Sequence, residues 1–328
     1  MRVAMLSKWH VHARDYARQL QAMDDVQIAA VWDEELERGE EWAYDLGVDF
    51  EGDLDRLLCR DDIDAVVIDS PTNMHADVMV ASAEAGKHIF TEKAMALTVK
   101  DCNRISDAVK KAGVKFGISF PARTLSHNLY VKKAIDDGLL GDITLLRIRN
   151  GHDGSLNNWL PAYWYDEQKA GGGAMMDLGC HPMYLASWFL GKPTRINSMF
   201  SYYTGREVED NAQCSVEFEN SSIAIVETSF VTYKTPGVLE AYGTEGTIII
   251  AGNEIKIISK KMPEAFKGWT IPADIPRPME LPLKQWVYSV MNDTPIEYGL
   301  EEGTKLTELL EAAYISHREK RQVDFANL

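Results

Sequence analysis

The first 120 residues alternate between two textures, and that alternation is the strongest constraint on what this chain can fold into. Short apolar, β-branched runs occur at Val3–Leu6, Val26–Trp32, Ala65–Asp69, His88–Thr91 and Lys115–Ser119. Between them, apolar residues recur at helical spacing, as in Tyr16, Ala17 and Leu20, in Val78, Met79, Ser82 and Ala85, and in Cys102, Ile105 and Val109. Fully apolar strands alternating with amphipathic helices predict a parallel sheet covered on both faces. Gly86 and Gly113 fall where such helices end.

After about Pro121 the pattern changes. A helix is expected over Ser126–Asp137, stopped by Gly138. Strand-like runs follow at Ile143–Arg149, Ile196–Tyr203, Ala212–Phe218, Ile223–Thr232, Gly237–Tyr242, Thr247–Ile250 and Glu254–Ser259. Several are joined by tight turns, at Glu219–Ser222 and Gly243–Gly246, so the second half reads as an α+β domain with an antiparallel or mixed sheet. One helix, near Gly179–Leu190, interrupts it, and a long one, near Glu301–Arg321, almost closes the chain. A length of 328 residues suits two domains, divided here at 1–120 and 121–328.

The net charge of −16 repels nucleic acid and anionic lipid, so neither is expected as a partner. No apolar run is long enough to span a bilayer, and Met1–Leu6 is too brief for a signal peptide. The four cysteines are scattered without CxxC spacing, which suggests a reduced, cytoplasmic chain lacking disulfides and structural zinc.

A strand, a helix and a second strand ending in an acid form the dinucleotide pattern. Asp33 is that acid; its carboxylate is expected to accept from the ribose hydroxyls. With Glu34 and Glu35 behind it and no arginine directly following, NAD is favoured over NADP. The alternative is that Asp33 only caps the next helix. The usual glycine-rich turn is replaced by Ser7-Lys8-Trp9-His10-Val11-His12-Ala13, where the helix N-terminus, Ser7, Lys8 and His10 remain as phosphate donors. His10 and His12 also have the spacing of a metal pair. That reading needs a barrel which the β-rich second half does not offer, so no metal site is expected, and His12 reads as a residue packing in the first helical turn.

Pro71, Thr72 and His75 follow an expected strand, at a position where open parallel sheets bind ligands. Glu92 and Lys93 end the next strand; the lysine would hold a substrate oxygen, and the bland alternative is a solvated charge pair. Asp177 and His181 lie four residues apart after Gly171-Gly172-Gly173, a triplet for which no packing reason is visible in the sequence. An imidazole there can exchange a hydroxyl proton. Trp159, Tyr163, Trp164 and Tyr165 supply aromatic faces for a sugar ring or nicotinamide.

These residues together resemble the Gfo/Idh/MocA oxidoreductases. The resemblance runs over nearly the whole chain. It is carried by Pro71-x-x-x-His75, by Ala85-Gly86-Lys87-His88-Ile89-Phe90-Thr91-Glu92-Lys93-Ala94 and by Gly171-Gly172-Gly173-Ala174-Met175-Met176-Asp177-Leu178-Gly179-Cys180-His181. It implies an N-terminal Rossmann domain and a C-terminal α+β domain whose large, open, mostly antiparallel sheet forms a homodimer or homotetramer. It also implies catalytic roles for Lys93, Asp177 and His181, with NAD held by the first-turn residues, Asp33, Pro71, Thr72, His75, Glu92, Lys93 and Trp164. Substrate would meet Lys93, Arg123, Tyr163, Asp177 and His181. Two further departures stand beside the lost glycines: Ala94 replaces the proline of the family's EKP motif, and Tyr184 stands where many members carry an acid.

The expected activity is hydride transfer between nicotinamide and a hydroxyl or keto carbon of a sugar, sugar derivative or cyclitol. Two alternatives remain: redox-neutral glycoside cleavage through transient oxidation, and a non-catalytic nucleotide or sugar sensor. Specificity is expected in the loop around Asn157–Tyr165, in Arg123 and in the stretch Met262–Pro278.

Overall fold

The computed structural model describes residues 1–235, 237–263 and 268–328. Within the stretch 262–278, residues 264–267 lie outside the described residues. The chain groups into two compact units, Met1–Ser119 with Glu280–Thr307, and Phe120–Met279 with Glu308–Leu328. The segment 280–307, which a division at residue 120 assigns to the second domain, thus groups with the first unit.

In the first unit, strands β1 (Arg2–Leu6), β2 (Gln27–Trp32), β3 (Asp49–Phe50), β4 (Ala65–Ile68), β5 (His88–Thr91) and β6 (Phe116–Ile118) alternate with helices α1 (Ala13–Gln21), α2 (Leu36–Leu46), α3 (Leu54–Leu58), α4 (His75–Glu84) and α5 (Val99–Ala112). The sheet is parallel, in the order β3-β2-β1-β4-β5-β6. Chain direction across the sheet reverses between β1 and β4, and the crevice beyond the carboxyl ends of such strands is where open α/β sheets bind ligands. Strand β4 is wholly buried, and α1 buries Ala13, Tyr16, Ala17 and Leu20, the face its spacing predicts. Gly113 takes φ 69° at the end of α5, the left-handed conformation a helix stop requires.

The second unit carries α6 (Ser126–Asp136), β7 (Ile143–Gly151), α7 (Glu167–Ala170), α8 (Cys180–Leu190), β8 (Pro193–Ser201), β9 (Asn211–Phe218), β10 (Ile223–Ser229), β11 (Val238–Gly243), β12 (Gly246–Ala251) and β13 (Glu254–Ser259). Its sheet runs β13-β12-β11-β7-β10-β9-β8-β14, with β14 at Val323–Asp324. Within this sheet, only β7 and β10 pair in parallel among the described strands. Alternation sets the two faces: Ala212, Cys214, Val216 and Phe218 of β9 are buried, while the residues between them are not. On the other face Arg147 pairs with Glu227 at 2.8 Å. Helix α8 is apolar nearly all round and correspondingly buried.

Two helices complete the chain, α9 (Pro282–Met291) and α10 (Leu300–Glu319). Helix α9 was not anticipated. Pro282 sits in its first turn, where a missing N–H costs nothing, and Leu283, Trp286 and Val287 join the core formed by Val3, Met5, Val67 and Phe90. Gly117 makes room for it, because a β-carbon there would collide with the Trp286 ring.

Candidate active site

At the end of β2, Asp33 is buried and fully engaged. One carboxylate oxygen accepts from the Lys8 amide at 2.9 Å and from Arg38 Nε at 3.0 Å; the other accepts from the Glu35 amide at 2.8 Å and from Arg38 Nη2 at 2.6 Å. Asp33 is therefore not the cap of α2; that position is held by Glu35, without a side-chain bond. No arginine directly follows Asp33, yet one folds back onto it from α2. Sequence reasoning missed Arg38, whose only signal was its position in the first turn of the helix after the acid. Burial weakens the Arg38 charge, but the bonds to Asp33 and the nearby Glu34 outweigh it and hold the guanidinium firmly protonated.

The turn after β1 is closed by internal bonds. Ser7 adopts φ 73°, a left-handed conformation that suits glycine, and its amide donates to Trp32 O at 2.6 Å. The Trp9 amide donates to Ser7 Oγ at 3.1 Å, and the His10 amide to Asp69 O at 3.0 Å. The Lys8 ammonium lies over the Trp42 ring, 5.9 Å from its centroid; burial and Arg14 lower its pKa.

Glu92 and Lys93 are not a solvated pair, since both are buried. The Glu92 carboxylate receives His12 Nδ1 at 2.8 Å, the Tyr16 hydroxyl and the Lys93 amide at 2.9 Å, with His10 Nε2 at 4.0 Å. Burial pushes its pKa up, but His10, His12 and Lys93 outweigh burial and hold it well below the usual carboxylate range. His12 caps α1 and turns its ring to Glu92 rather than simply packing in the helix. The donor atoms of His10, His12 and Glu92 lie within 4.8 Å of one another, close enough to suggest a metal set. The His12 amide, however, donates to His10 Nδ1 at 3.2 Å. A neutral His10 then carries its proton on Nε2, the nitrogen facing Glu92, whereas ligation through that atom needs the opposite tautomer. Within the cluster, hydrogen bonds engage Nδ1 of His10 and Nδ1 of His12.

Beyond β4, Pro71 and Thr72 are buried and lead into α4. The His75 ring sits between two carbonyls, with Nδ1 2.8 Å from Ala94 O and Nε2 3.0 Å from Ser70 O. It therefore ties this loop to the residue after Lys93. Burial lowers its pKa against those bonds. Both carboxylate oxygens of Asp69 and the hydroxyl of Ser70 are buried with no hydrogen-bond partner among the described residues. Burial and the neighbouring Glu92 push the Asp69 carboxyl well above its usual range.

In the second unit the glycine triplet does have a packing reason. A β-carbon on Gly172 would overlap the Tyr314 hydroxyl, and one on Gly173 would overlap Glu209 O. The buried Glu209 carboxylate accepts from the Gly173 amide at 2.9 Å, the Met175 amide at 2.8 Å and the Tyr314 hydroxyl at 2.8 Å. Burial raises its pKa despite these bonds. The turn so fixed leads into a π-helical turn, Met175–Gly179, which carries Asp177, and then into α8, where His181 lies in the first turn. Asp177 is near enough to oppose the lowering of the His152 pKa by burial.

His181 is half-buried and lines a cavity of 360 Å³ with Asn128, Asn150 and Asn253 among its neighbours. Its Nδ1 stands 2.8 Å from the Tyr184 hydroxyl, which also accepts the Ala122 amide at 3.0 Å. Tyr184 is itself fixed by stacking on Phe120, 4.2 Å between centroids. The remaining expected residues lie elsewhere in the unit. Arg123 is buried with its guanidinium 4.7 Å from the Trp188 ring centroid, and Trp164 is buried in a short helical turn. Tyr163 lines a separate hollow with Tyr165 and Arg206.

A parallel sheet whose order reverses between β1 and β4 shares this chain with a mixed sheet and, on α8, a hydrogen-bonded histidine, the make-up of two-unit dinucleotide-dependent oxidoreductases. Residues 9–120 match the model of an oxidoreductase family with an NAD-binding Rossmann fold, and residues 128–249 match that of the GFO/IDH/MocA C-terminal domain. The chain belongs to the GFO/IDH/MocA oxidoreductase family. It is 27% identical to an inositol 2-dehydrogenase of Rhizobium meliloti over 83% of this chain and 84% of that one. It is also 27% identical to a levoglucosan dehydrogenase of Pseudarthrobacter phenanthrenivorans, where the match covers 57% of this chain and 55% of the relative. In fold it resembles a levoglucosan dehydrogenase solved with NADH, with a TM-score of 0.85 at 20% identity over 99% of both chains. No helix among the described residues is long and apolar enough to cross a membrane.

Proposed function

We propose that this protein transfers hydride between NAD and a carbinol or keto carbon of a sugar, sugar derivative or cyclitol. The observation that carries the reading is His181, held at Nδ1 by Tyr184 on the wall of a cavity lined by asparagine amides. Amides that both donate and accept suit a polyhydroxylated ligand. The names of the relatives, an inositol and a levoglucosan dehydrogenase, support the substrate class.

The orphaned Asp69 and Ser70 atoms beside the switch point fit a dinucleotide there, with Ser7, Lys8, His10, His12, Asp33, Pro71, Thr72, His75, Glu92 and Trp164 as its proposed contacts. When bound, the nicotinamide supplies the hydride acceptor or donor. Lys93 holds the substrate oxygen and polarises it. Buried Glu92, whose carboxylate accepts the Lys93 amide, fixes the backbone from which that ammonium extends. His181 exchanges the hydroxyl proton at Nε2, Asp177 sets the local field, and Arg123 and Tyr163 contact the rest of the substrate. The acids Asp33, Glu34 and Glu35 favour NAD over NADP. The open sheet face, on which Met199 is exposed, is proposed as the interface between copies in a dimer or tetramer, and the four free cysteines suit a reducing cytoplasm.

The test is calorimetric binding of NAD+ and NADP+, followed by a screen of sugars and cyclitols for NADH formation at 340 nm. Binding of NAD+ with turnover of at least one polyol is expected. Binding of neither nucleotide sinks the reading, and bound NAD+ with glycoside cleavage but no net NADH would move the chemistry to redox-neutral elimination.

A further inference from the structure

The first unit holds a cavity away from the residues proposed for chemistry. It measures 380 Å³ and lies at the outer edge of the parallel sheet, between β6 and the segment that carries α9. None of the residues proposed above for cofactor or substrate lines it. Its volume falls within the roughly 300–1,000 Å³ of small-ligand pockets. The wall is aromatic, with Phe90, Trp286, Tyr288 and Tyr298 in it. Phe90 and Trp286 are buried and form the floor, while Tyr288 is 62% exposed and marks the mouth.

One polar atom of the floor is unsatisfied. Trp286 is only 2% exposed, and its indole N–H has no hydrogen-bond partner among the described residues. A buried donor without an acceptor is costly, and such groups are rare in folded proteins. Behind the ring lies the apolar core that includes Val3, Met5 and Phe90, whose side chains offer no acceptor. Gly117, also in the cavity wall, faces Cδ1, the ring atom bonded to Nε1; a β-carbon at 117 would stand 2.5 Å from it. The polar edge of the indole is thus turned to the cavity side, the side from which an acceptor can come.

The charges at the mouth decide the kind of acceptor. Two carboxylates, Glu280 and Glu297, stand in the wall against one ammonium, Lys284, which is paired with Glu280 at 2.9 Å. An anion entering there meets net negative charge. An uncharged oxygen on an aromatic body fits, its ring received by the aromatic side chains.

We propose that this cavity is a second ligand site, for a small uncharged aromatic compound whose carbonyl oxygen accepts from the Trp286 indole. The site is independent of the dinucleotide-dependent reading above. A ligand there braces α9 against β5, the strand that leads into Glu92 and Lys93.

The experiment is an NMR titration of the full chain carrying isotope-labelled tryptophan, with eight indole N–H signals. Acetophenone is the probe; toluene, which has no acceptor, and anionic benzoate are the controls. Acetophenone is expected to shift one indole signal saturably, the one that disappears in Trp286→Phe, with much smaller effects from toluene and benzoate. Trp286→Phe keeps an aromatic ring and loses the N–H, so the Kd of acetophenone, read by saturation transfer, should rise about tenfold. Thr294→Phe stands at a half-buried wall position whose hydrogen bonds run through its backbone; it fills the cavity and should abolish the shift. If Trp286→Phe does not fold, Thr294→Phe decides. No saturable shift, an equal response to toluene, or a shift that survives Thr294→Phe overturns the site. A Trp286 signal that moves with protein concentration instead assigns the cavity to a second copy of the chain and overturns it equally.

Discussion

The Tyr184 hydroxyl stands 2.8 Å from Nδ1 of His181 while accepting the Ala122 amide. A carboxylate at this position could only accept from the ring. A hydroxyl can serve either ring state, donating to a bare Nδ1 or accepting from a protonated one. It therefore keeps the imidazole oriented while a proton is exchanged at Nε2. Tyr184→Phe is expected to lower kcat about tenfold with KM little changed, a fraction of what a positioned acid–base group contributes. Tyr184→Asp should move the pH–rate profile to the alkaline side, because a neighbouring negative charge favours the imidazolium. Identical pH profiles in all three proteins would deny Tyr184 this role.

Lys93 and His181 carry the proposed chemistry. Lys93→Ala and His181→Ala should each reduce kcat/KM by about 10²-fold or more with circular dichroism unchanged. Near-full turnover in either variant would remove that residue from the mechanism.

Asp33→Ser combined with Glu34→Arg removes two acids and adds a second guanidinium beside Arg38. Titration should show the preference moving toward NADP. An unmoved preference would mean that the end of β2 does not contact the ribose.

Trp286 tests the placement of segment 280–307 with the first unit. It is buried against the β5 residue Phe90, with ring centroids 5.6 Å apart. Trp286→Ala should destabilise that unit by about 3–5 kcal/mol, read from urea unfolding followed by nucleotide binding. A loss below about 1 kcal/mol would contradict the packing.

The pKa of His75 is lowered, chiefly by burial, against the pull of the two carbonyls that face its ring nitrogens, only one of which a neutral ring can donate to. The unfolded chain takes up the proton first, so the contribution of His75 to stability is complete above pH 6.5 and shrinks as the pH falls below it. Imidazole resonances in an NMR titration should show His75 still neutral after exposed histidines have charged. Titration at or above pH 6.5 would show that the carbonyl bonds prevail over burial.

Much of this was legible in residue order, because period and polarity are local properties. The apolar runs at Val3–Leu6 and Ala65–Asp69 marked buried parallel strands, and the alternation in Ala212–Phe218 marked a strand with one covered face. The spaced motifs around Lys93 and His181 pointed to the family that the models confirm. Helix α9 was harder to read, since Leu283, Trp286 and Val287 become an apolar face only once β5 and β6 lie beneath them.

The sequence by itself determined the two kinds of sheet, the family and the acid at the end of β2. Only the tertiary structure decided what that acid and the glycine triplet do. Arg38 is five residues from Asp33 in the chain, yet its guanidinium fills two of that carboxylate's acceptor positions. Tyr314 lies far along the chain from Gly172, yet it occupies the space a side chain there would need. Hydrogen-bond saturation and steric exclusion depend on distances in space, and distances between residues far apart in a chain exist only after it has folded.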